Sequence, residues 1–385
     1  MNKSKAVEIL SKIISPTYHD YVALHQIVQM DDEEWEEIVK VANRHMLIPV
    51  LYMSLKEKEC LPLIKSEQLQ GFLAEMYRLN SFRNEKILEQ IREICDLMYK
   101  NLGIEVVLLK GVAALSESHY STIGERSMMD IDILVPEEKI YEAISLMKEY
   151  GYSEIDDVAY DPEGHWHHYN RLYNRDKIAS LEIHRYALST KSNFVDILDK
   201  KYLSKSISIP HTYVIEPTYE IIHSFLHTQI SHSYHKNKFL ALRQLHHVSV
   251  LFQKHKSDID FQLIEHYMKT SQLFDIWSEY LYLLKELFIL EDTVLVGSRE
   301  KGRSYFNALN SYLDTSHTNF AKGVAVLHRI EETFNSKFLM QKYKYNNKVL
   351  TPLFISIHIP VVLLKFLFNQ KIRKNFFIQI RTMTS

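Results

Sequence analysis

The sequence predicts an α/β (α+β) fold in which a core with a mixed sheet lies between two helical regions. Apolar residues recur at helical spacing up to about residue 101 and again from about residue 218. Between them lie two short apolar runs, EVVLL at 105–109 and MDIDILV at 129–135, which are typical of strands. We therefore expect four parts: a helical region at 1–101, the core at 102–215, a helical domain at 216–345 and an apolar, basic segment at 346–385.

The composition is that of an ordinary folded globular chain. Of the 385 residues, 46% are hydrophobic and 24% are charged, and the formal net charge is −2. Because the whole molecule carries almost no net charge, polyanion binding would need a local patch. A long nucleic acid is therefore not the expected partner.

Scarce residue types exclude several kinds of site. The two cysteines, Cys60 and Cys95, are too few for a disulfide framework or a cysteine-rich zinc site, and they fit a reducing compartment. The 9 glycines form neither a P-loop motif nor a Rossmann fingerprint. The N-terminus, MNKSKAVEILSKIIS, is typical of an amphipathic helix and not of a signal peptide, so we expect a cytoplasmic protein.

The N-terminal helices carry start and stop signals. Asp31 and its acidic neighbours precede Trp35 and an apolar pattern at helical spacing, as capping residues do. A second helix is predicted over residues 68–100 and should end at Gly103. One face of that helix is predicted to carry Phe72, Met76, Leu79, Ile87, Ile91, Ile94 and Leu97.

The predicted core alternates strands with short helices. The strand at 105–109 is followed by a helix at 112–118, and the strand at 129–135 by a helix through residue 150. Strand-like runs at 167–173 and 178–188 flank a predicted hairpin turn. In the helical region that follows, Gly297 and Gly302 are expected to mark a break.

The sharpest chemical feature is the pair Asp130 and Asp132. Side chains two residues apart on a strand project from the same face, with Cβ atoms roughly 6–7 Å apart. The two carboxylates can thus hold a hard divalent cation, or two cations that clamp the attacking and leaving oxygens in phosphoryl transfer. Met129, Ile131 and Ile133 are expected on the opposite face. The competing interpretation is an edge strand with a solvated polar face.

A third carboxylate lies on the strand predicted at 178–188. Since apolar residues alternate with it, Glu182 shares a face with His184. Glu182 is a candidate metal ligand, or the base that deprotonates an acceptor hydroxyl. The alternative is a cross-strand ion pair with Arg171 or Arg175.

Lys110, Gly111, Arg126 and Ser127 are candidate nucleotide-binding residues. Gly111 lies where a strand gives way to a helix, so a phosphate can approach backbone N–H groups there, and Lys110 adds a positive charge. Arg126 and Ser127 immediately precede the aspartate strand and are placed to contact triphosphate oxygens. The alternatives are a tight turn with a solvated lysine, and a surface ion pair between Arg126 and a nearby glutamate.

The 20 histidines offer a different kind of site. His223 and His227 fall four residues apart on a predicted helix, with His232 and His235 after them, and neutral imidazoles at that spacing can bind zinc. The H-E-x-x-H motif is absent, however, so we favour residues that support the metal ligands from behind or that line an acceptor pocket. The histidines beside Trp166 stay open between structural and site roles.

The chain resembles the uncharacterised bacterial nucleotidyltransferase family within the DNA polymerase β-like superfamily. Three stretches carry the resemblance: LLKGVAALSESHY, GERSMMDIDILVPEEKIYEAISLMKEYGY and LEIHRYAL. The similarity covers about residues 30–250, and its central part, 106–152, is the most specific.

The resemblance implies a minimal nucleotidyltransferase fold. Asp130 and Asp132 would be metal ligands, Glu182 the third acid with His184 as its supporting neighbour, and Lys110 with Gly111 the loop on the nucleotide side. The superfamily usually has Gly-Ser where this chain has Lys-Gly. Relatives also carry an aspartate near residues 245–248, where this chain has histidines.

The expected reaction transfers a nucleoside monophosphate from an NTP to an acceptor and releases pyrophosphate, with Mg²⁺, or Mn²⁺ in its place, as cofactor. The acceptor stays open among a small molecule, a sugar, a peptide and a protein. The alternative is a non-catalytic nucleotide-binding or scaffold module that kept the fold. Replacing Asp130 or Asp132 by asparagine should abolish turnover without loss of stability, because it relieves repulsion between two carboxylates.

The C-terminal segment combines an apolar run at 349–368 with a basic run at 371–374. Two prolines, a histidine and Lys365 interrupt the apolar run and argue against a membrane span. We expect either a buried terminal helix or peripheral attachment to an anionic membrane surface through 349–374, with a true span as the least favoured alternative.

Overall fold

The computed structural model describes residues 1–154, 167–188, 203–206, 208–288 and 298–315. The chain divides into two units, Met1–Leu309 and Asn310–Ser385. Gly297 lies outside the described residues, and so does the C-terminal segment at 346–385 for which membrane contact was considered. Among the residues that are described, no helix is long and apolar enough to cross a membrane.

The N-terminal region is helical, as predicted. Asn2, Asp20, Asp31 and Ser66 each accept a hydrogen bond from the backbone N–H three residues further on, which caps a helix start. The long fifth helix ends at Gly103, whose φ of +63° lies in the left-handed region that glycine adopts without strain. The helices are α1 (Lys3–Ile14), α2 (Tyr21–Ile27), α3 (Asp32–Arg44), α4 (Ile48–Glu57) and α5 (Glu67–Leu102), with a 3₁₀ turn at Leu61–Leu63.

The prediction of one apolar face along α5 is confirmed only for the C-terminal half of the helix. Ile87, Ile91 and Ile94 are buried in the core, whereas Phe72 and Leu79 are 43% and 47% exposed. The sheet and its core lie under the C-terminal half of α5, so one continuous face is not buried along the whole helix.

The core is one mixed sheet of seven strands, in the order β3-β4-β5-β2-β1-β7-β6. Strands β2 and β5, and strands β1 and β7, pair in parallel; the other pairs are antiparallel. This confirms the predicted α/β class. The strands are β1 (Val106–Leu108), β2 (Asp130–Leu134), β3 (Ser153–Glu154), β4 (Leu172–Tyr173), β5 (Ser180–His184), β6 (Leu203–Lys205) and β7 (Thr212–Ile215).

The two faces of the central strands differ in character. Ile131 and Ile133 of β2 are fully buried in one apolar cluster with Ile91 of α5 and Met147 of α7 (Ile140–Glu149). The opposite face therefore carries the acidic side chains, as the alternation predicts. Met129 departs from the prediction, because it precedes β2 and is 63% exposed. The other core helix, α6, spans Lys110–Ser116, two residues earlier than expected.

The second helical region begins with α8 (Pro217–Phe225), which continues as a π-helix over Leu226–Ser231. Gly302 does not mark a break, because it lies inside α12. A Cβ there would come within 2.5 Å of Cβ of Tyr282, so glycine allows α12 to pack closely on α11. The remaining helices are α9 (Leu242–Lys254), α10 (Phe261–Thr270), α11 (Phe274–Phe288) and α12 (Arg299–Thr315).

The helices from the two ends of the first unit pack on each other. Helix α1 contacts α3, α4 and α11. Two buried hydrogen bonds join the end of α1 to this region: Ser15 Oγ donates to the Phe288 carbonyl of α11 at 2.7 Å, and His246 Nε2 of α9 donates to the Ile14 carbonyl at 3.1 Å. Regions far apart in sequence therefore form one helical body beside the sheet.

Candidate active site

The acidic residues of β2 and β5 lie side by side at the wall of a cavity of about 440 Å³, the acid cavity. The parallel register pairs Asp132 with Glu182, and Asp130 with Ser180. Asp132 and Glu182 are 3% and 6% exposed, so both carboxylates are nearly buried. The register, which the sequence left undetermined, therefore brings the third acid next to the aspartate pair.

Asp132 is the most strongly held of the three acids. Its Oδ1 accepts hydrogen bonds from Lys110 Nζ at 2.6 Å and from His184 Nε2 at 2.9 Å. Burial alone would raise the pKa of Asp132, but Lys110 and the hydrogen bond from His184 hold the pKa of that carboxyl well below its usual range. Asp132 is therefore charged, and Lys110 is its counter-ion and not a solvated surface lysine.

Arg171 joins the other two acids. Its Nη2 and Nε donate to Glu182 Oε1 at 2.6 and 2.9 Å, and Nη2 also donates to Asp130 Oδ2 at 3.3 Å. The cross-strand ion pair considered as an alternative for Glu182 is thus present, but at the wall of the acid cavity. Burial, and repulsion from Asp132 and Glu182, raise the pKa of Asp130.

The donor set is suited to a metal ion. Among the described residues, one oxygen each of Asp132 and Glu182 and a ring nitrogen of His184 lie within 4.8 Å of one another. Atoms bound to one ion at about 2.0–2.2 Å are at most about 4.4 Å apart, so a small movement would suffice. Asp130 lies on the same face but outside this group of three. In the described part of the chain no histidine set forms such a group, which leaves the zinc interpretation without support.

Lys110 and Gly111 begin α6 at the edge of the acid cavity. Lys110 has a φ of +55°, a left-handed conformation that is strained for a residue with a side chain. A Cβ at Gly111 would lie 3.2 Å from Met128 Cβ and 3.6 Å from Arg126 Nε, so the backbone approaches its neighbours closely there. The strained turn directs the lysine amine to Asp132.

Arg126 is buried at the cavity wall, 7% exposed. Its Nε and Nη1 have no hydrogen-bond partner in the described part of the chain, so the ion pair considered as an alternative is not the explanation. Glu125 instead accepts from Ser121 and Thr122. Two buried guanidinium nitrogens without a hydrogen-bond partner are costly, and these donors are suited to bind an anion.

The segment that carries Arg126 is fixed by α5. Asn84 Nδ2 donates to the carbonyls of Ile123 and Arg126 at 2.6 and 2.7 Å, and Asn80 Nδ2 donates to the Gly124 carbonyl at 2.6 Å. A Cβ at Gly124 would lie 2.1 Å from Ser81 Oγ, so the segment touches the helix directly. Arg126 is therefore held in place before any ligand arrives.

Ser127 and Arg243 both depart from what the sequence predicts about the site. Ser127, a sequence candidate, does not line the acid cavity; its carbonyl accepts from Arg243 Nη1 at 3.2 Å. Arg243, which the sequence analysis missed, does line the cavity, and burial with the nearby Arg126 lowers its pKa to about 10. A lone arginine in a helical stretch carries no local signal of such a role.

Imidazoles also line the acid cavity and form what we call the histidine wall. His223 comes from α8, His227 from the π-helix and His232 directly follows it, while His167 and His168 lie in the segment before β4. Burial lowers the pKa of His223 to about 4 and that of His227 well below its usual value, so both are neutral at pH 7. These two histidines thus offer hydrogen-bond donors and acceptors without charge.

Glu220 is the acid of that wall. His247 Nε2 donates to its Oε1 at 2.8 Å, and His119 Nε2 lies 3.3 Å from its Oε2. Burial alone would raise the pKa of Glu220, but these two histidines hold it well below the usual range. Of the two histidines near residues 245–248, His247 therefore binds an acid of α8, whereas His246 binds the Ile14 carbonyl.

Comparison with protein families matches residues 31–289 to a family described as uncharacterised nucleotidyltransferase. The matched stretch is more than half of the chain and contains both strands of acids, Lys110, Arg126 and the histidine wall. No curated protein and no solved structure matches the chain.

Proposed function

The chain belongs to the uncharacterised nucleotidyltransferase family, and from that premise we propose that it transfers a nucleoside monophosphate from an NTP to an acceptor, with release of pyrophosphate. The supporting observation is one cavity with three acids on adjacent strands and a buried arginine of which two guanidinium nitrogens have no hydrogen-bond partner in the described residues. Acids in this arrangement suit cations, and the arginine suits phosphate.

Asp130 and Asp132 would hold Mg²⁺, or Mn²⁺ in its place, with His184 beside them, while Glu182 would serve as the base. Carboxylate oxygens are the ligands that these hard cations prefer, and an imidazole nitrogen is better suited to Mn²⁺ than to Mg²⁺. When bound, the metal supplies charge neutralisation at the phosphates and lowers the pKa of a coordinated hydroxyl.

The triphosphate would lie against Arg126, which has buried donors to satisfy, with Gly111 leaving room for it. Lys110 keeps Asp132 charged. Ser127 would not contact the triphosphate, because it lines a neighbouring pocket and not the acid cavity.

In the proposed step, an acceptor oxygen attacks the α-phosphorus and forms a new P–O bond. The bond from the α-phosphorus to the oxygen that bridges it to the β-phosphorus breaks, and pyrophosphate leaves with that electron pair. The acceptor proton passes to Glu182. Arg171 occupies Oε1 of that carboxylate, so Oε2 is the atom that would take the proton.

The acceptor would lie against the histidine wall. Neutral imidazoles recognise hydroxyl and amide groups by hydrogen bonds, and the one acid of that wall, Glu220, is already bonded to two histidines. We therefore propose an uncharged, hydroxyl-bearing acceptor, such as a sugar, another small molecule, or a residue of a peptide or protein.

A non-catalytic nucleotide-binding module is the second candidate, since all three acids have internal cationic partners in this structure. Two measurements separate the two functions. Mg²⁺-dependent stabilisation by an NTP in a melting assay is expected for both. Pyrophosphate release on addition of hydroxyl-bearing acceptors, lost in the Asp132→Asn variant, is expected only for the enzyme. Absence of any Mg²⁺-dependent nucleotide effect would contradict both.

A further inference from the structure

A second pocket, of about 270 Å³, opens beside the acid cavity. Its lining is mostly apolar and includes four methionines, and we call it the methionine pocket. Leu79 and Met129 at its edge are 47% and 63% exposed, so large apolar side chains are left uncovered there. The apolar residues that define it further are Met46, Ile48, Pro49, Met76 and Met128.

The methionine pocket is a neighbour of the acid cavity and shares part of its wall. Met128 and Met129 line both of them. Arg83 fixes this shared wall from α5, because its guanidinium donates to the carbonyls of Met128 at 2.5 Å and of Met129 at 3.3 Å. Arg243 reaches from the acid cavity to Met46, with its Nη1 3.0 Å from the sulfur.

The two spaces differ in the chemistry that they accept. The acid cavity is lined by carboxylates, arginines, Lys110 and polar imidazoles, so a flat uncharged ring placed there would leave charged groups without solvent or partner. The methionine pocket offers polarisable thioethers and a proline, which make favourable contacts with aromatic rings, and among the described residues Arg83 is the one charged residue of its lining. Asn43 at its edge adds an amide that can both donate to and accept from a polar ring edge.

We propose that the methionine pocket binds the base of the nucleotide whose phosphates lie in the acid cavity. The inference rests on the proposed function and divides the nucleotide by polarity: the anionic part faces Arg126 and the acids, and the aromatic part enters the apolar pocket past Met128 and Met129. The histidine wall is then left for the acceptor.

The test compares two probes on the full chain, each with Mg²⁺: non-hydrolysable analogues of the four common NTPs, and inorganic tripolyphosphate, which has no base. The blocking variant is Leu79→Glu, which puts a carboxylate at the exposed edge of the pocket. Phe82→Glu is the matched control, because Phe82 is also exposed, at 55%, and lies on the same helix but does not line the pocket.

We expect calorimetry to show that Leu79→Glu lowers the affinity for the best-bound nucleotide analogue about tenfold or more, a loss of at least about 1.4 kcal/mol of binding free energy. Its affinity for tripolyphosphate should stay within about twofold, and Phe82→Glu should change neither. Met76→Ala, which widens the pocket, should also weaken nucleotide binding and leave tripolyphosphate binding unchanged.

Three results would overturn the inference. The first is an equal loss of affinity for both probes in Leu79→Glu. The second is a Leu79→Glu variant that binds nucleotide as well as the wild type but has lost turnover, which would make the pocket an acceptor site. The third is wild-type protein that binds nucleotide no better than tripolyphosphate. If the wild type binds neither probe, the proposed function fails, and the inference fails with it.

Discussion

Asp132 and Glu182 are paired directly across two parallel strands, yet each carboxylate is held by a different cation. Lys110 from the start of α6 binds Asp132, and Arg171 from the segment before β4 binds Glu182. The acids are therefore close enough to share a metal but are not left as bare like charges. This arrangement changes what each substitution at the site should do.

The two aspartates should differ in their effect on stability. Asp132→Asn leaves the largely buried Lys110 amine without its counter-ion, so we expect the free energy of unfolding to fall by about 1–3 kcal/mol. Asp130→Asn should leave it unchanged or raise it, because burial and the neighbouring acids raise the pKa of Asp130 and so disfavour its charged form. Both variants should lose Mg²⁺-dependent turnover.

Urea unfolding of the two variants at pH 7 measures this difference. Equal loss of stability in both would contradict the roles assigned to Lys110 and to the crowded Asp130. The equal tolerance expected from the sequence alone does not take the Lys110 contact into account.

Glu182→Gln should lower turnover about 10²–10⁴-fold, the usual contribution of a positioned general base. Nucleotide affinity should change much less, because glutamine keeps the shape and one oxygen for Arg171. Single-turnover kinetics and calorimetry on the same variant separate the two effects. Near-normal turnover would reduce Glu182 to a partner of Arg171.

Arg126→Met should lower the affinity for both nucleotide and tripolyphosphate about tenfold or more, since the variant removes the hydrogen-bond donors proposed to bind phosphate. Its stability should be unchanged or higher, because two of the buried guanidinium nitrogens have no hydrogen-bond partner in the described residues. Arg78→Met, an exposed arginine of α5, is the charge-matched control. Loss of stability without loss of affinity would mean that Arg126 is structural.

Lys58 should make stability rise with pH above pH 8. Burial lowers its pKa to about 8, while its amine donates to the carbonyls of Ile13 and Ser15. Between about pH 8 and the unfolded value near 10.4, the unfolded chain holds more protons than the folded chain, so the free energy of unfolding increases with pH.

The measurement is the difference between wild type and Lys58→Met in urea unfolding at several pH values, which cancels the other titrating groups. The free energy of unfolding of the wild type should rise relative to that of the variant by up to about 1.4 kcal/mol per pH unit in that range. A constant difference would show that Lys58 has an ordinary pKa.

Two helical glycines should respond oppositely to alanine. Gly71 in α5 has nothing within 4 Å of an added Cβ, so Gly71→Ala should stabilise the protein by about 0.5–1 kcal/mol. Gly302→Ala should destabilise it, because the new Cβ would clash with Tyr282 at 2.5 Å. Thermal unfolding of both variants checks the packing of α12 on α11, and a stabilising Gly302→Ala would refute it.

Local pattern accounts for what could be predicted from the chain. Alternation along DIDIL and LEIH placed Asp130 with Asp132, and Glu182 with His184, because neighbouring residues of a strand point to opposite faces whatever the fold. Helical spacing and caps gave the positions of α3 and α5 in the same way. Patterns of this kind depend only on residues a few positions apart.

The contacts of the site depend on residues far apart and were decided by the tertiary structure. The register of β5 on β2 sets Glu182 beside Asp132, and no period in either strand encodes that register. Arg243 meets the Ser127 carbonyl across more than a hundred residues, so no local signal marks it. The sequence by itself determined which chemical groups share a strand face. Only folding decided which of them meet, because hydrogen bonds, ion pairs and burial act between neighbours in space.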